Sequence, residues 1–257
     1  MNKKELPIAV FDSGLGGISV LRRICQAAPE EKYIYFGDSA NAPYGSKSRE
    51  WILDRCDELA RGFIERGVKA LVVACNTATS VAASTLREKY PDIPVIGLEP
   101  ALKPAVEEKR EGAVIVMATP VTLGGEKFKA LLERFERERE IILLPAPRLV
   151  EFVESGIYGG DDVEGYIREL AAPYSDRKIA SVVLGCTHFP FLADSVKNVF
   201  GDVGLYDGAV GTARETVRRL TEANLLTEDC DGWVKMENSA DSDEMIDRSW
   251  ELFELKL

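Results

Sequence analysis

Leu71-Val72-Val73-Ala74-Cys75-Asn76-Thr77 and Val182-Val183-Leu184-Gly185-Cys186-Thr187-His188 are built alike. In each, a continuous apolar run ends in a cysteine and passes straight into small polar residues. An apolar run without alternation suits a strand of a parallel sheet, covered on both faces. A cysteine at its carboxyl end places sulfur at the rim where open α/β sheets bind ligands. One such segment in each half of the chain points to two thiols facing a single substrate as an acid/base pair.

Working outward, apolar runs alternate with amphipathic stretches. Strands are expected at 7–11, 33–36, 70–74, 94–96, 113–118, 141–144, 181–185 and 204–206. Helical spacing is found near 16–28, 48–66, 78–89, 126–139, 163–172, 191–199 and 209–223. This alternation implies parallel sheets with right-handed crossovers. The second half also echoes the first: Ile8-Ala-Val-Phe-Asp12-Ser13 has the pattern of Val114-Ile-Val-Met-Ala118-Thr119, and a cysteine segment follows each. The expected fold is therefore α/β with two pseudo-symmetric lobes, each a mostly parallel sheet flanked by helices, and an active site in the cleft between them. Residues 1–97 plus 208–257 are expected to form one lobe and 98–207 the other, with the C-terminal helices returning to the first.

Bulk properties exclude several classes. The chain has 257 residues, 46% of them hydrophobic, and a net charge of −11. That charge argues against nucleic acid or an anionic membrane as partner, since both need clustered cations. No apolar stretch approaches a membrane span. The N-terminal apolar run is short and goes straight into Asp12, so it reads as a first strand rather than a signal peptide. A cytoplasmic location is expected. Five cysteines is an odd count that speaks against a disulfide framework. Cys25 and Cys56 lie on helical apolar stripes and read as core, while Cys230 sits in a polar stretch with no partner in view. With one histidine and no Cys-x-x-Cys pair, no metal site is expected.

Asp12-Ser13-Gly14-Leu15-Gly16-Gly17 is a glycine-rich strand-to-helix turn. It suits an anion at a helix N-terminus, and Asp12 suits equally a cap for the next helix. It carries neither a dinucleotide nor a P-loop fingerprint. The polar residues after each cysteine are expected either to bind a carboxylate or to cap the helices that follow. His188, two residues from Cys186, is a candidate thiolate partner.

Together, Asp12 to Gly17, Gly37-Asp38 with Pro43-Tyr44-Gly45, Ala74-Cys-Asn-Thr-Ala-Thr79 and Leu184-Gly-Cys-Thr-His-Phe-Pro190 resemble the glutamate racemases of the aspartate/glutamate racemase superfamily. The resemblance runs in matching order over nearly the whole chain. It implies a cofactor-independent enzyme that supplies D-glutamate for peptidoglycan and is commonly a homodimer. It also implies catalytic thiols at Cys75 and Cys186, with Asp12, His188 and Glu154 assisting. Ser13, Pro43, Tyr44, Gly45, Asn76, Thr77, Thr119, Thr122 and Thr187 fall where the family holds its amino acid. The chain departs from the pattern at Gly125 and Phe128, where the family usually has Ser and Tyr. It departs again at Ala146-Pro147 and at Gly208. Because the chain begins at its first strand, no activator-binding extension is expected, and activity should be constitutive.

The chemistry suits these residue types. Racemisation must remove a proton from a weakly acidic Cα and return one to the opposite face, which two flanking bases accomplish without moving around the carbon. A cysteine pKa near 8.5 is within tuning range of neutrality. A carboxylate beside Cys75 disfavours thiolate there, so Asp12 is better cast as a proton acceptor or orienting group; a protonated His188 favours thiolate at Cys186. Three other readings stay open at this level: racemisation of aspartate or another amino acid, a single-cysteine hydrolase or transferase with His188 as base, and a two-lobed amino-acid-binding protein.

Overall fold

A computed structural model of the chain describes residues 3–227 and 231–255; Cys230 lies outside them. The elements run β1 (Ile8–Asp12), α1 (Ile18–Ala27), β2 (Lys32–Gly37), α2 (Arg49–Glu65), β3 (Ala70–Val73), α3 (Asn76–Lys89) and β4 (Val95–Gly97). They continue with α4 (Leu102–Val106), β5 (Ala113–Ala118), α5 (Pro120–Gly124), α6 (Glu126–Phe135), β6 (Ile141–Pro145), α7 (Arg148–Glu154), α8 (Asp161–Ala171) and β7 (Ile179–Leu184). Last come α9 (Ala193–Phe200), β8 (Gly204–Asp207), α10 (Ala209–Glu222), β9 (Trp233–Asn238) and α11 (Asp243–Glu254).

The strands sort into two parallel sheets, in the orders β4-β3-β1-β2-β9 and β6-β5-β7-β8. Both are flanked by helices, giving a two-lobed α/β fold. In each sheet the strand order reverses beside the first strand laid down, between β1 and β3 and again between β5 and β7. The crevice at the carboxyl ends of strands at such a reversal is where open α/β sheets take their ligands. Asp12 and Cys75 stand at the first reversal, Thr119 and Cys186 at the second.

Strands β1, β3 and β5 are buried at every residue, which is why they read as unbroken apolar runs. One apolar cluster passes through both lobes, joining Ile18, Leu21 and Ile24 of α1 to Val182 and Leu184 of β7 and to Ala209 and Ala213 of α10. Fully burying a side chain of the Leu or Ile type contributes about 1.5–3 kcal/mol, so this shared core holds the lobes face to face. Cys56 is fully buried and Cys25 partly buried in apolar packing.

The elements outside the sequence-based expectation are α4, α5, α7, α11 and β9. In β9 only Met236 is buried, so this edge strand shows no apolar run. Helix α11 packs on α1 and β9. Helix α3 starts at Asn76 rather than 78, because Cys75 is itself its cap. Gly208 has a steric reason: a Cβ there would overlap the carbonyl of Glu99, where the two connections between the lobes touch. Among the described residues, no helix is long and apolar enough to cross a membrane.

Candidate active site

Cys75 is buried at the amino end of α3, where its Sγ accepts a hydrogen bond from the Ala78 amide at 3.4 Å. Its thiol lies 3.7 Å from Ser13 Oγ, and Ser13 lies 3.4 Å from Asp12 Oδ1. The Asp12 carboxylate is wholly buried and accepts from the Gly17 amide at 2.6 Å. Burial, followed by the charge of Asp12, pushes the Cys75 thiol well above its ordinary range, against the helix amide that favours thiolate. Burial likewise raises Asp12, opposed by the charge of His188 and the amides of Ser13 and Gly17.

Cys186 follows β7 and faces a different neighbour. Its Sγ is 3.5 Å from His188 Nδ1, and His188 Nε2 is 2.6 Å from Glu154 Oε1. The same carboxylate oxygen accepts from the Leu15 amide at 2.6 Å, while Oε2 accepts from Ser39 Oγ at 3.4 Å. Burial works against an imidazolium at His188, but hydrogen bonds to Cys186 and Glu154 and their charges outweigh it. The imidazole pKa is thereby held well above its ordinary value. As imidazolium, His188 donates from both ring nitrogens. The glycine-rich turn makes room for this group: a Cβ at Gly16 would overlap the His188 ring and the Thr187 hydroxyl.

The lobes exchange hydroxyl contacts across the cleft in a reciprocal way. Thr187, next to Cys186, donates to Asp12 Oδ2 at the end of β1, at 3.2 Å. Thr77, two residues past Cys75, lies 3.0 Å from Thr119 Oγ1 after β5 and 3.4 Å from Thr122 Oγ1. Thr119 and Thr122 are themselves 3.0 Å apart. Ser19 Oγ donates to the Thr187 carbonyl at 2.9 Å. Asn76 is buried with no partner for its Oδ1, and it borders a cavity of about 10 Å³ together with Cys186 and Thr187.

Apart from Asn76, whose Oδ1 has no partner, the residues expected at the site fall into three groups. Asp12, Ser13, Cys75, Glu154, Cys186, Thr187 and His188 form one continuous network, and Thr77, Thr119 and Thr122 form a second beside it. Pro43, Tyr44 and Gly45 make a separate loop that reaches the second lobe, with a Cβ at Gly45 falling 3.2 Å from Thr119 Cβ. The Tyr44 hydroxyl is turned inward and donates to Asp38 at 2.6 Å. Sequence reasoning missed what holds that loop: Arg55 of α2 donates to Asp38 through Nε and Nη2, both at 2.8 Å. No local pattern marks Arg55, because its partner is brought to it by the packing of α2. Phe128 is buried and lines a cavity of about 290 Å³ beside Thr122, so its missing hydroxyl leaves an apolar wall there.

Comparison with known proteins gives a consistent result. The family model described as Asp/Glu/Hydantoin racemase matches residues 10–216. A glutamate racemase of Clostridium perfringens is 49% identical over 255 residues, 98% of each chain. One from Clostridium botulinum is 47% identical over 256 residues, 99% of each. Among solved structures, the glutamate racemase of Francisella tularensis in complex with D-glutamate is 28% identical with a TM-score of 0.83, covering 99% of this chain and 96% of that one. The Escherichia coli glutamate racemase in complex with L-glutamate and the activator UDP-MurNAc-ala is 32% identical with a TM-score of 0.81, covering 96% and 92%.

Proposed function

The chain belongs to the Asp/Glu/hydantoin racemase family, and on that premise we propose that it interconverts L- and D-glutamate by a two-base exchange of the α-proton. The observation that carries this reading is the pair of buried thiols, one at each sheet's reversal point, with different electrostatic surroundings. An imidazole held well above its ordinary pKa stands beside Cys186, while burial and Asp12 push the Cys75 thiol well above its ordinary range. The two thiols are assigned to opposite sides of Cα, one acting as base and the other as acid in each direction. The substrate ammonium supplies the cation that the Cys75 pocket lacks, so thiolate at that position forms mainly once substrate is bound.

As the α-proton leaves, negative charge builds on the α-carboxylate. Backbone N–H groups of the 76–77 turn and of Thr187 are assigned to it. The hydroxyls of Thr77, Thr119 and Thr122, with Ser13 and the 43–45 loop, are assigned to the rest of the substrate, and the open acceptor of Asn76 to the ammonium. The reaction uses side-chain acids and bases throughout and requires no cofactor. The product, D-glutamate, serves peptidoglycan synthesis. The same proposal carries a cytoplasmic location, a homodimer, and lobes divided as 1–97 plus 208–257 and 98–207.

The test is circular dichroism of L- and D-glutamate in D₂O with purified protein and no added cofactor. Both signals are expected to decay to zero, with α-deuterium appearing mainly in the product enantiomer. Decay with aspartate alone would reassign the substrate. Silence with every amino acid would overturn the enzymatic reading in favour of an amino-acid-binding or thiol-transfer protein.

A further inference from the structure

Helix α7 is short and ends at Glu154, so its final carbonyls need partners outside the helix. Three of them are satisfied locally. Ser155 donates to Glu151 at 3.0 Å, Gly156 to Val153 at 3.0 Å, and Ile157 to Phe152 at 2.8 Å. The last two bonds, with Gly156 at φ +78, form a glycine C-cap that only a residue tolerant of left-handed backbone supplies without strain. The carbonyl of Glu154 is the one left over. It accepts from Arg248 Nη1 at 2.7 Å, and Arg248 belongs to α11, on the far side of the cleft and packed on α1 and β9. The guanidinium lies over Gly156, 3.7 Å from where a Cβ would stand, and its other arm pairs with Glu244 at 2.7 Å.

We propose that Arg248 is a positioning residue for the reaction: it caps the helix that carries Glu154 and so holds the Glu154 carboxylate against His188 from the opposite lobe. The inference rests on the racemase reading for its catalytic consequence and on geometry alone for its structural one. A cation at a helix C-terminus interacts favourably with the carbonyl end of the helix dipole, and a carboxylate on the last residue is sensitive to how that turn is held. The charged and titratable groups facing His188 are Glu154, Cys186 and Asp12. Arg248 bonds to the main chain of the first, so its influence passes through that residue. In this way α11, which the sequence motifs do not mark, bears on the chemistry at Cys186.

His188 is the sole histidine of the chain, so its imidazole titration can be followed by NMR in untagged protein without assignment. Glu154→Gln sets the full displacement that loss of the carboxylate can produce. Arg248→Met keeps the apolar stem and removes the donor. It is expected to lower the His188 midpoint by about one pH unit and kcat by about 10-fold, with KM for glutamate changed far less. Arg248→Lys, which retains a donating cation, is expected to restore most of both. If Arg248→Met does not fold, Arg248→Gln is read in its place and is expected to give a partial displacement. A native His188 midpoint in the folded Met or Gln variant overturns the proposal, as does a Lys variant displaced as far as the Met variant. The NMR readout does not involve glutamate, so a wild-type protein that fails to racemise it refutes the functional reading without touching the positioning role.

Discussion

Cys75 and Cys186 end equivalent strands of two similar sheets, yet one thiol looks toward a carboxylate and the other toward an imidazole backed by a carboxylate. The backbone device is the same in both lobes: a buried parallel strand, a cysteine at the reversal of strand order, and a polar turn. The electrostatics differ because the groups around each sulfur come from elsewhere. At the end of β1 stands Asp12; the corresponding place at the end of β5 holds Ala118, which has no charge. Beside Cys186 stands His188; the corresponding place after Cys75 holds Thr77. Duplicated architecture thus presents two thiols at equivalent strand ends, and unlike neighbours give them different electrostatic surroundings.

The sharpest way to break this comparison is to remove each sulfur in turn. Cys75→Ala and Cys186→Ala are each expected to lower kcat/KM for racemisation by about 10³-fold or more. Each variant should still exchange the α-proton of one enantiomer with solvent deuterium, and the enantiomer should differ between the two. Equal residual racemisation in both would end the two-base assignment.

A smaller effect is expected from the Cys186 side alone. Glu154→Gln removes the carboxylate that holds His188 as imidazolium and should lower kcat/KM by about 30-fold, roughly 2 kcal/mol of barrier. Because the two enantiomers have equal free energy in water, the loss must be the same in both directions. The asymmetry is expected in the α-deuterium isotope effect, which should grow for the enantiomer whose proton Cys186 removes and not for the other. An equal rise for both would place Glu154 outside the Cys186 half-reaction.

On the Cys75 side the sign is reversed. Asp12→Asn removes a like charge, so the Cys75 thiol should ionise about one pH unit lower, followed by thiolate absorbance in a Cys186→Ala, Cys230→Ser background. Cys25 and Cys56, each pushed up to about 12 by burial, are replaced by Ala in the same background so that Cys75 alone is read. An unchanged midpoint would remove Asp12 as a charge acting on Cys75. Full ionisation of both Cys75 and Cys186 well below neutral pH in the free protein would overturn the view that substrate completes the Cys75 site.

The smallest effect on chemistry concerns the loop that the first lobe sends to Thr119. Asp38→Asn breaks the buried pair with Arg55 and should cost about 3 kcal/mol of stability, read by denaturant unfolding. Burial alone would raise Asp38, but hydrogen bonds from Arg55, Tyr44 and Asn41 hold it below its ordinary value. Its contribution is therefore present above the unfolded carboxylate pKa of about 3.9 and lost as pH falls through the depressed folded value. The variant should lack that part of the acid limb; an identical acid limb would mean that the pair contributes nothing to stability.

The sheets are legible from sequence because burial on both faces leaves unbroken apolar runs, and β5 spans the same residues, 113–118, as its apolar run. The strand that escaped, β9, is an edge strand with one buried residue, and half-solvated structure carries no such signature. Helix α7 is too short to show a period, so Glu154 was found through resemblance and not through its helix. By itself, then, the sequence determined the two-lobed parallel architecture, the strand-end placement of both cysteines and the family. Those are consequences of local hydrophobic pattern and of contiguous motifs. Only the tertiary structure decided which distant groups meet: Thr187 on Asp12, Glu154 on His188, Arg55 on Asp38 and Arg248 on the end of α7. Their sequence separations run from 17 to 175 residues, and a charge acts across space, where the order of residues along the chain has no say.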